Sequence, residues 1–163
     1  MGSLYMALPR ASNIPIVVAT TTAVKTVLQV ATPSTTDIRV FAWGVSFDGV
    51  TANAVPGICT LMDTDVAASV TTVTAIEWES DDQAASLCVG GASATGYNAS
   101  AEGSIGATTR DLDPQLVHPQ TGYSIWFLPG RHSRVKASRF LRIRTTFAVS
   151  INCLPWIIWE EPA

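Results

Sequence analysis

Side chains able to do acid–base, nucleophilic or metal chemistry are few in this chain, and they are scattered. Its two histidines, His118 and His132, stand alone. Zinc chemistry on a β scaffold needs several imidazole and carboxylate ligands in close spacing. His118 beside Pro119 and His132 beside Arg131 read more simply as loop residues. Asp63-Thr64-Asp65 and Asp111-Leu112-Asp113 alternate acids as the start of a calcium loop does. The further spaced acids and the closing glutamate of such a loop are missing, so solvated caps or turn formers are the better reading. No serine sits in a G-x-S-x-G elbow, and the phosphate-cradling patterns G-x-G-x-x-G and G-x-x-x-x-G-K do not occur. Asn98-Ala99-Ser100 fits the glycosylation acceptor, but without an export signal it reads as a chance match. The expectation is a protein with no catalytic site, no metal and no cofactor.

Three cysteines, Cys59, Cys88 and Cys153, are an odd number with no C-x-x-C pair, which argues against a disulfide framework or structural zinc. Cys59 in GICTLM and Cys153 in INCLPW lie in apolar segments, where a reduced thiol acts as a small hydrophobe.

The residue types that remain are suited to binding. Six of the ten basic residues, Arg131, Arg134, Lys136, Arg139, Arg142 and Arg144, fall within fourteen positions. An acidic block, Glu77, Glu79, Asp81 and Asp82, lies elsewhere and offers a complement across a subunit boundary. The alternative for the basic run is a solvated strand face and loop. With a formal charge of −3 the chain has no global cationic field for phosphate backbones, so nucleic acid is not an expected partner. Five tryptophans, Trp43, Trp78, Trp126, Trp156 and Trp159, admit a sugar-stacking platform. Trp43, Trp156 and Trp159 nevertheless lie in segments so apolar that core packing or a subunit contact is preferred, leaving Trp78 and Trp126 open.

These side chains must be held by strands. The chain has 163 residues, the size of one domain, and Thr, Ser, Ala, Val and Gly dominate it. Strand-like segments recur at Ile16 to Val18, Val24 to Val30, Asp37 to Phe47, Ile58 to Thr64, Val70 to Trp78, Tyr123 to Leu128, Phe140 to Phe147 and Ser150 to Trp159. Turn chemistry at Thr32-Pro33-Ser34, Asp48-Gly49, Val55-Pro56-Gly57, Ser80-Asp81-Asp82 and Leu128-Pro129-Gly130 separates them. About eight strands predict an all-β fold, a β-sandwich or jelly roll. IRVFAWGVSF and LPWIIWEE are apolar on both faces, as strands in the middle of a sandwich or against another subunit are. In RFLRIRTTF, Leu141 and Ile143 point one way and Arg142 and Arg144 the other.

Residues 1–15 read as an extended N-terminal arm, with Leu8, Pro9 and Arg10 expected to touch a partner, ahead of a single domain over 16–163. The prolines argue against the arm adding a strand to its own sheet. From Ala84 to Gln120 the sequence weakens into Ser, Ala, Gly and Thr, and long loops are expected, with room among them for a short helix or strand. The opening MGSLYMALPR lacks the basic start and apolar run of a signal peptide, and no run is long enough to cross a bilayer, so cytoplasmic synthesis and no membrane partner are expected. Met1 and Met6 both fit a natural start. Apolar types make up 47% of residues and charged types 14%, a ratio that predicts apolar surface meeting a partner.

In the arm and first strand ALPRASNIPIVVATTTAVKTVLQVATPS, the aromatic strand IRVFAWGVSFDG and the closing LRIRTTFAVSINCLPWIIWEE, the chain resembles the small head decoration, or cement, proteins of tailed bacteriophages, notably those infecting actinobacteria. The resemblance covers somewhat under half the chain. It implies a homo-oligomer, a trimer in most such proteins, that sits on the exterior of the virion. There it would clamp neighbouring subunits of the phage major capsid protein, with no substrate and no cofactor. A carbohydrate-binding β-sandwich module and a tail or baseplate subunit are the alternatives.

Overall fold

A computed structural model describes residues 2–48, 55–79, 83–106 and 108–162. The turns expected at Asp48-Gly49 and Ser80-Asp81-Asp82, and the acids Asp81 and Asp82, lie wholly or partly outside them. Among the described residues there is no helix, and the strands run β1 (Ser3–Ala7), β2 (Arg10–Ala11), β3 (Ile14–Pro15), β4 (Val18–Ala19), β5 (Lys25–Ala31), β6 (Ile38–Phe47), β7 (Gly57–Thr64), β8 (Ser69–Thr72), β9 (Ile76–Glu77), β10 (Gly96–Ala101), β11 (Arg110–Val117), β12 (Tyr123–Trp126), β13 (Ser133–Val135), β14 (Phe140–Thr146) and β15 (Asn152–Glu161). The first sheet has the order β12-β6-β15-β1-β9, with β13 also paired to β6 and β4 to β15; the second has the order β11-β7-β14-β5-β10-β8.

Alternation builds one core between the sheets. Trp43 and Val45 of β6, Ile157 and Trp159 of β15 and Tyr5 of β1 meet Cys59 and Leu61 of β7 with Leu141 and Ile143 of β14. Each such large apolar side chain removed from water contributes roughly 1.5–3 kcal/mol. The result is the all-β sandwich that the spacing of strands and turns predicts. The segments expected around β5, β6, β7, β12, β14 and β15 agree with the observed strands to within two residues. Val70 to Trp78 is divided into β8 and β9. Pro155, inside the central strand β15, falls between the stretch paired to β4 and the stretch paired to β1. There β15 has a neighbour on one side only, so the ladder can spare an N–H.

Two expectations are corrected. The arm over residues 1–15 does not stand off the domain: Ser3–Ala7 pairs with β15 on one side and β9 on the other, inside the first sheet. Both prolines of the segment come after this strand, so neither interrupts its ladder. Leu8 and Pro9 are buried against their own domain, and so are not exposed to a partner as expected. Arg10 donates from Nη2 to the Asn13 carbonyl at 2.8 Å. Beyond them β2 and β3 form a two-residue hairpin in which Ser12 and Asn13 both have positive φ, 49° and 64°. Two left-handed central residues give a turn whose twist matches that of the strands. The hairpin leaves Ile14 64% exposed.

The second correction is one of extent: residues 84–120 hold not one short strand but two, β10 and β11, as well as loops. β11 carries charges and Pro114 because it is the edge of its sheet, paired to β7 alone, where a missing N–H and polar side chains are tolerated.

Candidate docking surface

The outer face of the first sheet carries an apolar patch around Gly44. Where Trp43 and Val45 point inward, Gly44 points outward, and where Ile157 and Trp159 point inward, Trp156 and Ile158 point outward. Gly44 pairs directly with Trp156. A Cβ at Gly44 would lie 2.6 Å from the indole Cζ2 of Trp156, so only glycine leaves the ring its place. Trp126 of β12 lies next, its ring centroid 6.5 Å from that of Trp156. Trp78 follows β9 and is anchored by its N–H donating to the Leu4 carbonyl at 3.0 Å. Its ring meets Trp126 edge to face at 6.4 Å and 62°. Ile158 is 1% exposed although it lies outside the core cluster, whereas Trp78 and Trp126 are 47% and 56% exposed. The three indoles form one aromatic patch, with Trp78 and Trp126 open to water and Trp156 partly covered. Trp43 and Trp159 are core residues as expected. Trp156 is half-buried in the outer patch.

Of the basic run, three members converge. Arg134 on β13, Lys136 after it and Arg139 before β14 line a pocket of about 380 Å³ together with Arg110 and Asp63. Register explains this, because Arg110 pairs directly with Asp63 across β11 and β7. Asp63 is buried; one carboxylate oxygen accepts from Arg139 Nη2 and the other from Arg110 Nε, at 2.9 Å, and Nη2. The bond to Asp63 raises the Arg110 pKa further above its usual value. Arg134 pairs with Asp37. The Ala137 N–H, donating at 2.8 Å, and the Arg134 guanidinium together hold the Asp37 carboxyl below the usual carboxylate range. Arg131 is exposed in the loop before β13 and does not line the pocket.

Arg142 and Arg144 share an outer face of β14 as the alternation predicts, but Arg142 is not available to a partner. It is fully buried, because the chain around Val66 and Glu102 folds over that face of the second sheet. Its Nε donates to Thr26 Oγ1 at 2.9 Å, and its Nη2 donates to the Glu102 carbonyl at 3.0 Å and to the Glu102 carboxylate. Arg144 reaches the same carboxylate at 3.2 Å from a half-exposed position. Desolvation lowers the Arg142 pKa. This guanidinium is a structural cation, joined to the loop that buries it.

The remaining candidates are structural too. Asp113 accepts from Trp43 Nε1 at 2.9 Å, Tyr123 Oη at 2.8 Å and Gln115 Nε2 at 2.6 Å, locking the β11 edge to the first sheet. His132 stacks on Phe41 at 3.8 Å, and His118 Nδ1 accepts from the Gln120 N–H at 3.2 Å. Cys59, Cys88 and Cys153 are buried free thiols, all pushed up by desolvation, Cys59 and Cys153 to about 12. Among the described residues no group of three or more His, Cys, Asp and Glu is placed to hold a metal ion.

Sequence reasoning missed Arg110, Asp63 and Asp37 as parts of the basic site, and Glu102 as the partner of Arg142. The pairing of β11 with β7 would have been the signal for the first two, but β11 itself was hidden by its acids and proline. Comparison with models of protein families, with curated proteins and with solved structures finds no match for the chain.

Proposed function

We propose that this chain is a non-catalytic structural protein that decorates the outside of a phage head, associating as an oligomer, a trimer, and clamping neighbouring major capsid subunits. The observation that carries the reading is the wet tryptophan patch over Gly44. A small domain seldom leaves three indoles clustered on the outer face of a sheet unless a partner covers them, and buried aromatic anchors dominate protein interfaces. Together with the resemblance of the flanking segments, it points to a protein surface as the ligand.

Half-exposed Trp78 and Trp126 also favour a second reading, a carbohydrate-binding module. Their edge-to-face contact places one ring's rim against the other's face. That serves packing against a protein better than it serves a coplanar row for pyranose rings. Co-sedimentation with purified capsids stripped of accessory proteins tests the proposal, with saturating binding expected and a marked loss for Trp126→Ala. Absence of binding by the wild-type chain, or quenching of tryptophan fluorescence by soluble oligosaccharides, would overturn it.

A further inference from the structure

We propose that the pocket between β7, β11 and the segment from Arg134 to Arg139 is a carboxylate-binding site, which receives an acidic side chain presented by a protein partner. For the identity of that partner it rests on the reading above; for the chemistry it rests on the pocket alone.

Four cations, Arg110, Arg134, Lys136 and Arg139, line about 380 Å³, and the single carboxylate lining it, Asp63, is buried with both oxygens already accepting from guanidinium groups. Two of the cations are therefore pinned in place by an internal anion, their forks arranged as carboxylate recognition requires, with ordering entropy already spent. Arg110 uses Nε and Nη2 on Asp63 and the Arg134 carbonyl, which leaves its Nη1 donors. Lys136 is exposed and forms no ion pair among the described residues.

The charge balance selects the ligand. Asp37 pairs with Arg134, and Asp65, whose pKa is lowered chiefly by its hydrogen bond to Thr108 and further by Arg139, stands close by. Four cations against three carboxylates leave one positive charge, enough for one carboxylate and poor for a polyanion such as a phosphate chain or nucleic acid. Arg134 also lines an adjoining open groove of about 820 Å³ that contains Thr35, Thr36, Arg39 and Glu160. The groove gives the backbone on either side of the inserted acid a polar path. It lies along the same two strands as the patch, since Arg39 pairs with Glu160 just beyond the Ala42–Ile158 pair, across a shift in register.

The test is calorimetric titration of the full-length chain, at low salt, with a capped and otherwise uncharged pentapeptide that carries one central glutamate. A saturable single-site isotherm is expected, weakened about tenfold or more by Lys136→Glu and by raising salt to about 0.3 M. Val149→Ser, an exposed change beyond the end of β14 opposite to Arg139, is expected to leave it unchanged. No saturable binding, equal binding by Lys136→Glu, or displacement of the peptide by equimolar inorganic phosphate would each overturn the proposal. The decoration reading fails separately: a wild-type chain that binds the peptide but not capsids keeps the pocket and loses the capsid. One that binds capsids but not the peptide does the reverse.

Discussion

Arg142 and Arg144 are two positions apart on one face of β14 and share the Glu102 carboxylate, yet they stand in different solvents. Reversing Arg142 to Glu would bury a second carboxylate beside Glu102 and remove that residue's buried cationic partner, so a loss of about 3–5 kcal/mol is expected. The same change at half-exposed Arg144 should cost about 1 kcal/mol. Urea denaturation of the two single variants measures the contrast, and near-equal losses would show that the loop does not exclude water from Arg142. The buried thiols supply a pH dependence. Cys59 and Cys153 have folded-state values of about 12 against 9.0 for an ordinary thiol. A raised value means that stability is fully present below 9 and falls as pH climbs from 9 towards 12, because only the unfolded chain releases the proton. Each thiol should remove about 1 kcal/mol per pH unit in that window. Tyr123, raised from 10.0 to about 12 chiefly by desolvation, with its bond to Asp113 next, adds to the slope above 10. Urea midpoints at pH 8, 9 and 10 should fall for the wild type, and the drop between 9 and 10 should be smaller, though not abolished, in Cys59→Ala or Cys153→Ala, since two raised thiols remain in each. At this scale the sequence showed which way the arginines of β14 point, since that follows from period two. It could not show what lies over them, because Glu102 is forty positions away in a Gly- and Ser-rich segment with no apolar pattern of its own.

Strands with an alternating or doubly apolar pattern were legible: β5, β6, β7, β14 and β15 carry enough β-branched and aromatic residues to be read directly. β1, β10 and β11 were not. β1 is short and followed by two prolines, and β10 and β11 are polar edge or near-edge strands stabilised by pairing that no local signal encodes. β1 is the most consequential of these, since it buries Tyr5 and Ala7 and joins β15 to β9. Tyr5 Oη also donates to the Ala84 carbonyl at 2.7 Å, and Gln83 Nε2 to the Leu4 carbonyl at 2.8 Å. Removing residues 1–7 should therefore abolish cooperative thermal unfolding followed by near-ultraviolet circular dichroism. A cooperative melt in the truncated chain would show that the strand is an accessory. The pocket residues fared better than the strands that position them: Arg134, Lys136 and Arg139 were legible as a charge run, and only Arg110 and Asp63 required the β11–β7 pairing.

For the whole molecule the question is what covers the apolar outer face. Trp126 and Trp78 on the first sheet, Ile58 and Leu116 paired side by side on the second, and Ile14 on the β2–β3 hairpin are all at least 47% exposed. Under the proposed reading self-association would hide part of this surface, and multi-angle light scattering at micromolar concentration is expected to report a trimer. A monodisperse monomer would count against oligomeric decoration while leaving the carboxylate pocket untouched.

The pairing of β1 with β15 has a further effect, on the order in which the molecule can be made. Residues 3–7 leave the ribosome some 150 residues before the strand they join, residues 152–161. Until then β1 and β6 both lack a neighbour at the centre of the same sheet, so the first sheet cannot close before that strand is made. Contacts so distant along the chain make folding slow. A chain halted before β15 would expose two unpaired edges, β6 among the most apolar strands it has. The outer face that carries Trp126 and Trp156 is thereby complete only once β15 is in place.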